Sequence, residues 1–261
     1  MSRLPKKIYQ YQGFSLVEMA IVLLILGVVL GGLLGAIGQS TENTRRLEAK
    51  NQLHEIEEAL YAYGQVQGRL PCPGDDDTNG YEDLIGTTSN GNCGLTHGLL
   101  PNATLGLSGG VDENGFLMDP WGNPYRYSVA LTTPNFSKYT GITGIQNIFG
   151  DATNQVVNNG GNMLTVCNNS ACSDITMTDV SPAIVISMGK NWGNIEEGTA
   201  SADEQENAGD GTSKTTGNEY TVSNTMTFVV AGYSEENFDD MLVWISPHLL
   251  FSKMIAAGKL P

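Results

Sequence analysis

A short acidic turn offers the clearest set of metal-binding side chains in this sequence. Its candidate ligands alternate along the chain, at Asp75, Asp77, Asn79, Tyr81 and Asp83. The spacing up to Gly80 follows D-x-[DN]-x-[DN]-G, which opens the calcium loop of EF-hand proteins, where alternate residues direct oxygens at one centre. Gly86 stands where such a loop has its bidentate glutamate. The pattern therefore predicts either a calcium site or a solvated acidic turn.

Four cysteines offer a second kind of chemistry, at Cys72, Cys93, Cys167 and Cys172. Two short-range disulfides, Cys72–Cys93 and Cys167–Cys172, are the simplest of the three possible connectivities. A zinc site built from four thiolates is the competing interpretation, but the C-x-x-C spacing typical of such sites is absent. Disulfides would indicate an oxidising, extracytoplasmic compartment, and a Cys72–Cys93 bridge would clamp the acidic turn.

Catalytic signatures are missing from the chain. The three histidines, His54, His97 and His248, form no metal-spaced pair, and no nucleophile-elbow, zincin, P-loop or dinucleotide-binding motif occurs. Neighbouring acids such as Asp239 and Asp240 are commoner on solvated faces than as acid–base pairs. The net charge of −15 argues against binding nucleic acid. The sequence therefore predicts a protein that is not an enzyme and needs no cofactor, with calcium as the one possible exception.

An apolar segment at residues 14–38 is long enough to cross a bilayer as a helix of 25 residues with a single charge, Glu18. Basic residues precede it, which predicts a cytoplasmic N-terminus and a translocated remainder. A cleaved secretory signal, with a mature start at Gln39, is the alternative. That alternative fits poorly, because an ionisable residue inside a membrane segment indicates a functional site with a specific partner.

The composition changes to that of an amphipathic helix at residues 39–68. Apolar residues recur at spacings of four and three, at Ala49, Leu53, Ile56, Leu60 and Tyr63. No proline interrupts the chain between Phe14 and Pro71, so one continuous helix is predicted, ending at Gly64 or Gly68. Only its second half needs a folded domain to pack against.

The residues Gly13-Phe14-Ser15-Leu16-Val17-Glu18 resemble the processing motif of type IV pilins and type II secretion pseudopilins. The resemblance implies that a prepilin peptidase cuts between Gly13 and Phe14 and methylates the new N-terminus at Phe14. It also implies that Glu18 pairs with the N-terminal amine of a neighbouring subunit and so sets the register of a filament. Other subunits and an inner-membrane assembly platform are the implied partners.

The remainder, residues 69–261, is predicted to form a globular head. The segment 119–125, Asp-Pro-Trp-Gly-Asn-Pro-Tyr, is similar to a turn that opens the β-sheet of major pseudopilins. Tyr125, Tyr127 and Val129 then alternate like a half-buried strand. Further strands are predicted at 163–167, 183–188, 225–231 and 241–246, and a polar loop at 191–218 is either a binding element or disordered.

The end of the chain also resembles pilin-like proteins. Major pseudopilins bind calcium in a loop that leads to a comparable Asp-rich strand, which makes Asp239 and Asp240 further calcium candidates by resemblance. Ser246 followed by Pro247 predicts the start of a short helix that ends at Gly258. Its apolar face is predicted at Leu249, Leu250, Met254 and Ile255.

Together these observations predict an α+β, pilin-like fold in which a long N-terminal helix packs on an antiparallel sheet with extended loops. The parts are a leader at 1–13, a transmembrane half-helix at 14–38, an amphipathic half-helix at 39–68 and the head at 69–261. The expected function is a minor pilin or pseudopilin, anchored by a single pass in the inner membrane with a periplasmic head. A filament-borne adhesion module and a permanently anchored periplasmic protein are the alternatives.

Overall fold

A computed structural model describes residues 13, 15–75, 77–84, 93–130, 145, 163–173, 176–193, 199–208, 227–234 and 237–260, with only the backbone of residues 30 and 32–39. The chain divides into two compact units, Met1–Arg46 and Leu47–Pro261. The described helices are α1 (Leu16–Gln67), α2 (Asn102–Leu105), α3 (Ala202–Ala208) and α4 (Pro247–Ala256). The described strands are β1 (His97–Leu99), β2 (Arg126–Val129), β3 (Leu164–Cys167), β4 (Thr176–Ser181), β5 (Ala183–Ser187), β6 (Thr227–Val229) and β7 (Met241–Trp244).

The first helix is continuous, as the absence of proline predicts. Helix α1 has 52 residues, a length of about 80 Å at 1.5 Å per residue. It ends before Gly68, whose φ is 73° and whose N–H donates to Gly64 O at 2.9 Å. A left-handed residue directly after the last turn is a common way to end a helix, and glycine adopts it without strain.

The N-terminal part of α1 exposes its apolar side chains. Every large apolar side chain described between residues 16 and 29 is at least 49% exposed, and Leu16 reaches 87%. A continuous apolar surface of this kind is typical of a segment that contacts other proteins or lipid. No helical stretch among the described residues combines the length and the hydropathy needed to span a bilayer. The predicted segment 14–38 includes Phe14 and side chains that lie outside the described part of the chain.

The second half of α1 packs on the sheet through the predicted stripe. Ala49, Leu53, Ile56 and Leu60 are at most 2% exposed, whereas Tyr63 is half-buried. Tyr61, outside that stripe, is fully buried, and its hydroxyl accepts from Ser246 N at 2.9 Å. Burial raises the pKa of Tyr61 to about 12. The buried surface of the helix is therefore wider than the periodicity indicates.

The main sheet is antiparallel, in agreement with the predicted fold class. Its four strands lie in the order β1-β2-β5-β7. The buried side chains of β2 and β5 belong to the same apolar core as Leu53 and Leu60 of α1. Tyr125, directly before β2, donates a hydrogen bond to Gln52 Oε1 at 2.7 Å. A helix packed on an antiparallel sheet is the α+β arrangement that the sequence predicts.

Strand β2 differs from the predicted half-buried pattern. All four of its residues are buried, including Arg126 at 3% and Ser128 at 1% exposure. It is an inner strand, because β1 and β5 pair with its two edges. The face that carries the polar residues is also covered, since Ser128 contacts His97 Nδ1 at 2.9 Å and the Arg126 guanidinium stacks on the Trp192 ring at 5.1 Å.

A second, three-stranded sheet has the order β4-β3-β6. Strands β3 and β6 are parallel, which the purely antiparallel prediction did not include. The predicted strands at 163–167 and 225–231 supply these two strands. The sheets approach each other where the His97 ring lies 6.2 Å from the Phe228 ring.

The segment 119–125 forms a turn organised by one aspartate. Asp119 is 5% exposed, and its Oδ1 accepts from Trp121 N at 3.0 Å and from Asn123 N at 2.9 Å. Its Oδ2 accepts from the Ser187 hydroxyl at 2.7 Å. The turn is therefore attached to the end of β5, which explains how it positions Tyr125 and strand β2.

Helix α4 has the predicted ends and only part of the predicted buried face. The Ser246 side chain accepts from Leu249 N, Pro247 is in the first turn, and Gly258 has a φ of 69°. Leu250 and Met254 are buried, as predicted, together with Phe251, whereas the predicted Leu249 and Ile255 are 42% and 44% exposed. A Cβ at Gly64 would lie 2.8 Å from Leu250 Cδ1, so Gly64 permits the close approach of α4 to α1.

Candidate functional site

The predicted assembly glutamate takes part in the N-terminal cap of α1. Ser15 N donates to Glu18 Oε2 at 2.8 Å, and Glu18 N donates to Ser15 Oγ at 3.2 Å. This reciprocal pair is a capping box, which satisfies two backbone N–H groups at the start of a helix. Both residues are exposed. The Glu18 carboxylate is therefore held at the helix terminus beside Ser15 and is accessible to a partner.

The predicted cleavage site lies directly before this cap. Gly13 is exposed and has open space around its Cα, so a peptidase has access to this side of the scissile bond. Phe14, the residue predicted to carry the methyl group, lies outside the described residues. Cleavage and methylation therefore stay predictions from the sequence pattern.

The acidic turn at 75–83 does not gather its carboxylates tightly. Among the described residues, Asp75, Asp77 and Asp83 do not bring ligand atoms within 4.8 Å of one another as a group. Thr78 closes the turn, because its hydroxyl contacts Asp75 N at 3.1 Å and Asp75 O at 2.7 Å. Burial and then the charges of Asp75 and Asp77 raise the pKa of Asp83. Asn79 and Tyr81 are exposed, and calcium binding here stays a prediction.

A largely buried ion pair beside this turn was not predicted. The Arg69 guanidinium binds Glu82 through two contacts, of 2.7 and 2.6 Å. Tyr63 OH and Cys72 N also donate to the Glu82 carboxylate, at 3.0 and 2.9 Å. Burial alone would raise the pKa of Glu82, but the hydrogen bonds and the charge of Arg69 lower it. This network joins the end of α1 to the acidic turn.

The four cysteines form the two short-range disulfides of the simplest connectivity. Cys72 is joined to Cys93 and Cys167 to Cys172, each pair with a Cα–Cα distance of 5.3 Å. All four sulfurs are consumed, and no cysteine is free. The zinc interpretation is therefore wrong for this state of the protein, because no thiolate is available as a ligand.

A compact group of carboxylates lies elsewhere in the head. Glu204, Asp239 and Asp240 each bring an oxygen within 4.8 Å of the other two, and their exposures are 0%, 3% and 7%. Helix α3 carries Glu204, and the residues directly before β7 carry the two aspartates. The resemblance named the aspartates as calcium candidates, whereas Glu204 was missed. The one local signal for Glu204 was the capping-box pattern Ser201-x-x-Glu204, which predicts the start of a helix.

Backbone and amide groups hold these carboxylates in place. Asp239 Oδ2 accepts from Lys190 N at 2.7 Å and from Asn191 N at 3.2 Å. Glu204 Oε1 accepts from Asn191 Nδ2 at 2.6 Å. A Cβ at residue 189 would overlap the Asp239 carboxylate, and Gly189 has a φ of 65°. The turn after β5 therefore requires glycine for Asp239 to reach the cluster.

The cluster has the features of a cation site. Burial, and then the charges of Glu204 and Asp239, raise the pKa of Asp240 well above its usual range, against a hydrogen bond from Asn207. Two buried oxygens, Asp240 Oδ1 and Asn191 Oδ1, have no hydrogen-bond partner among the described residues. Buried polar atoms are normally satisfied, so these oxygens are available as cation ligands. Several oxygen donors with a strong negative charge suit calcium.

Part of the polar loop predicted at 191–218 is folded into the head. It contains α3, in which Glu204, Asn207 and Ala208 are buried. Asn207 bonds to strand β6, with its Nδ2 donating to Val229 O at 3.0 Å and its Oδ1 accepting from Val229 N at 2.7 Å. Deleting the whole loop would remove part of the core. Residues 194–198 and 209–218 lie outside the described residues.

The histidines do not contribute to this cluster. His97 is buried in β1, and burial lowers its pKa to about 4, so the ring is neutral near pH 7. On α1, the exposed His54 lies 3.5 Å from the half-buried Glu57. His248 is exposed on α4. Their positions give no indication of a histidine metal site or a catalytic pair.

Comparison with known proteins identifies one segment. Residues 9–34 match the family described as the prokaryotic N-terminal methylation motif. No curated protein and no solved structure matches the chain. The matched segment contains Gly13, of the predicted cleavage site, and Ser15 and Glu18, which form the helix cap. The chain therefore carries the prepilin-type methylation motif that is characteristic of type IV pilins and pseudopilins.

Proposed function

We propose that this chain is a structural subunit of a type IV pilus or type II secretion pseudopilus, in a minor position. It is processed by a prepilin peptidase between Gly13 and Phe14 and is methylated on Phe14. The methylation motif at residues 9–34 carries this proposal. The proposed role is assembly and not catalysis, with the head presented in the periplasm and the N-terminal helix in the inner membrane until extraction.

The geometry of α1 supports this proposal. Its exposed apolar residues form a surface that lipid would cover before assembly and neighbouring subunits would cover afterwards. Glu18 lies at the terminus of the helix, four residues along the chain from Phe14, where cleavage would create a new amine. A carboxylate there neutralises the amine of an adjacent subunit only when the two helices dock in register.

A filament-borne binding module remains the second candidate. Trp121 and Trp192 are half-buried, and one face of Trp192 stacks on Arg126. The third candidate is a permanently anchored protein. It would keep its leader uncut, so its mass and N-terminal sequence would differ from those of the proposed subunit.

The decisive measurement is the intact mass and N-terminal sequence of protein extracted from its native membrane. We expect a chain that begins with N-methylated Phe14, from a host whose prepilin peptidase is active. A chain that starts at Gln39 would instead identify a secreted protein, and an uncut Met1 would identify a permanent anchor. A peptidase-deficient host is the control, since there the same gene should yield only the uncut form.

We further propose that the head binds one calcium ion through Glu204, Asp239 and Asp240. The orphaned Asp240 Oδ1 supports this assignment, because a buried carboxylate oxygen without a partner is costly. When bound, the ion would neutralise the three carboxylates and fix the residues before β7 relative to α3. Extracellular calcium modules bind with dissociation constants of about 10⁻⁴ to 10⁻³ M.

Titration of the full-length protein with CaCl₂ in detergent micelles tests this assignment by calorimetry. We expect one site, and an affinity at least about tenfold weaker in Asp240→Asn, because a charged ligand is lost. Asp77→Asn, which removes one charge from the acidic turn, should bind as the wild type does. If Asp77→Asn is the variant that loses binding, the site lies at 75–83 and the cluster assignment is wrong.

A further inference from the structure

Helix α3 is attached to the head mainly through polar groups. Its buried residues are Glu204, Asn207 and Ala208, so it buries only one apolar side chain of its own. A helix of seven residues is too short to persist in water without tertiary contacts. Its position therefore depends on what Glu204 and Asn207 bind.

Both of these polar residues meet the carboxylate cluster. Asn207 Nδ2 donates to Asp240 Oδ2 at 2.9 Å. Glu204 Oε1 accepts from Asp239 N at 3.3 Å. Glu204 is also part of the cap of α3: its N–H donates to Ser201 Oγ at 3.3 Å, and its Oε2 accepts from Ser201 N at 3.4 Å. One carboxylate therefore helps to form the helix terminus and completes the cluster.

The other two carboxylates belong to residues outside α3, although Asp240 also accepts from Asn207 Nδ2 of that helix. Asp239 is bound to backbone N–H groups of the turn after β5, and Asp240 directly precedes β7. Repulsion among the three buried carboxylates is relieved when one of them moves away. Glu204 can move at the least cost, because it lies on the short helix α3. Like charges in a buried site disfavour one another strongly because the surroundings are poorly polarisable.

We propose that calcium binding and the docking of α3 are a single event, with Glu204 acting as the coupling residue. This inference rests on the proposed calcium site. In the cation-bound protein, α3 is seated against β6 and the cluster. In the cation-free protein, repulsion at Glu204 opens its cap and releases α3 from β6. The helix is therefore a calcium-dependent surface element of the head.

The docked helix also reaches a second part of the surface. Asp203 Oδ1 accepts from Ser170 N at 2.7 Å, within the loop that the Cys167–Cys172 disulfide closes. Release of α3 removes this contact as well. We therefore expect calcium to protect two segments that are distant in sequence, residues 202–208 and residues 168–172.

Hydrogen exchange of the full-length protein in detergent micelles tests the coupling. Exchange is compared in about 1 mM CaCl₂ and in EGTA, within the range in which extracellular calcium modules bind. We expect at least about tenfold slower exchange at 202–208 and 168–172 with calcium, the factor that mass action gives at tenfold excess over the dissociation constant. Strand β5, residues 183–187, is the internal reference and should not change.

Two variants of α3 distinguish the effect of the Glu204 charge from the effect of any substitution on this helix. Glu204→Gln keeps an oxygen acceptor but removes one charge of the cluster, so α3 should be protected without calcium and calcium should bind at least about tenfold more weakly. Glu206→Gln is the matched control on the same helix, outside the cluster, and should respond to calcium as the wild type does.

The outcomes separate the two proposals. Calcium binding by calorimetry without any change in exchange at 202–208 would overturn the coupling and leave the site intact. Equal protection of β5 would overturn it too, because the effect would then be global stabilisation. Absence of both binding and protection would overturn the site and the coupling together.

Discussion

Replacing Glu18 with alanine is expected to leave leader removal intact and to reduce incorporation into filaments by about two orders of magnitude or more. In the proposed filament the carboxylate neutralises the amine of a neighbouring Phe14 within packed apolar helices. Removing one partner of a buried ion pair typically costs about 3–5 kcal/mol, because the other charge is left uncompensated. Each 1.4 kcal/mol corresponds to about a tenfold change in the equilibrium.

Ser15→Ala is the matched control, because Glu18 also caps its own helix. This variant removes the Ser15 Oγ acceptor and keeps the carboxylate, and loss of a capping side chain costs about 1 kcal/mol. We expect less than a tenfold reduction in incorporation. Quantitative mass spectrometry of sheared filaments and of membranes gives the incorporated fraction. Equal incorporation of Glu18→Ala and the wild type would contradict the registry role.

Removal of Arg69 is expected to produce the largest loss of stability in the head. The side chains of Arg69 and Glu82 are each 11% exposed, with an N–O distance of 2.6 Å. In Arg69→Ala the Glu82 carboxylate stays buried, and we expect the free energy of unfolding to fall by about 3 kcal/mol. Thermal unfolding of the full-length protein in detergent, followed by near-ultraviolet circular dichroism, measures this loss.

The pH dependence of this ion pair has a definite sign. The pKa of Glu82 in the folded protein is lower than its ordinary value of 4.5. Its stabilising contribution is therefore fully present above that pH and is lost as the pH falls through the lower folded-state value. The difference in stability between the wild type and Arg69→Ala should shrink on acidification below pH 4.5.

Lys253→Ala provides the comparison at an exposed pair. Lys253 Nζ lies 2.8 Å from Glu58 Oε2, but these side chains are 27% and 51% exposed. Exposed ion pairs contribute about 0–1 kcal/mol. We expect a loss of about 1 kcal/mol or less, including the contact of Lys253 with the Tyr61 ring. If the two variants cost the same, burial is not what makes the Arg69–Glu82 pair important.

Features encoded in a few consecutive residues could be read from the sequence. The motif at residues 13–18, the end of α1 at Gly68 and both ends of α4 follow from local capping and turn chemistry. Five of the seven described strands followed from short apolar runs or alternation between turn residues, whereas β1 and β4 were not predicted. Such features are predictable because backbone hydrogen bonding and φ preferences act over four or five residues.

The tertiary structure alone decided which distant groups meet. Glu204 comes together with Asp239 and Asp240 across 35 residues, and no periodicity in the sequence indicates that approach. Both faces of β2 are buried, and α4 buries Phe251 in place of Leu249 and Ile255, because neighbouring elements decide which side chains are covered. The sequence by itself therefore determined the processing motif and the local elements. The buried ion pair and the proposed cation site depended on packing, which joins residues without regard to their separation along the chain.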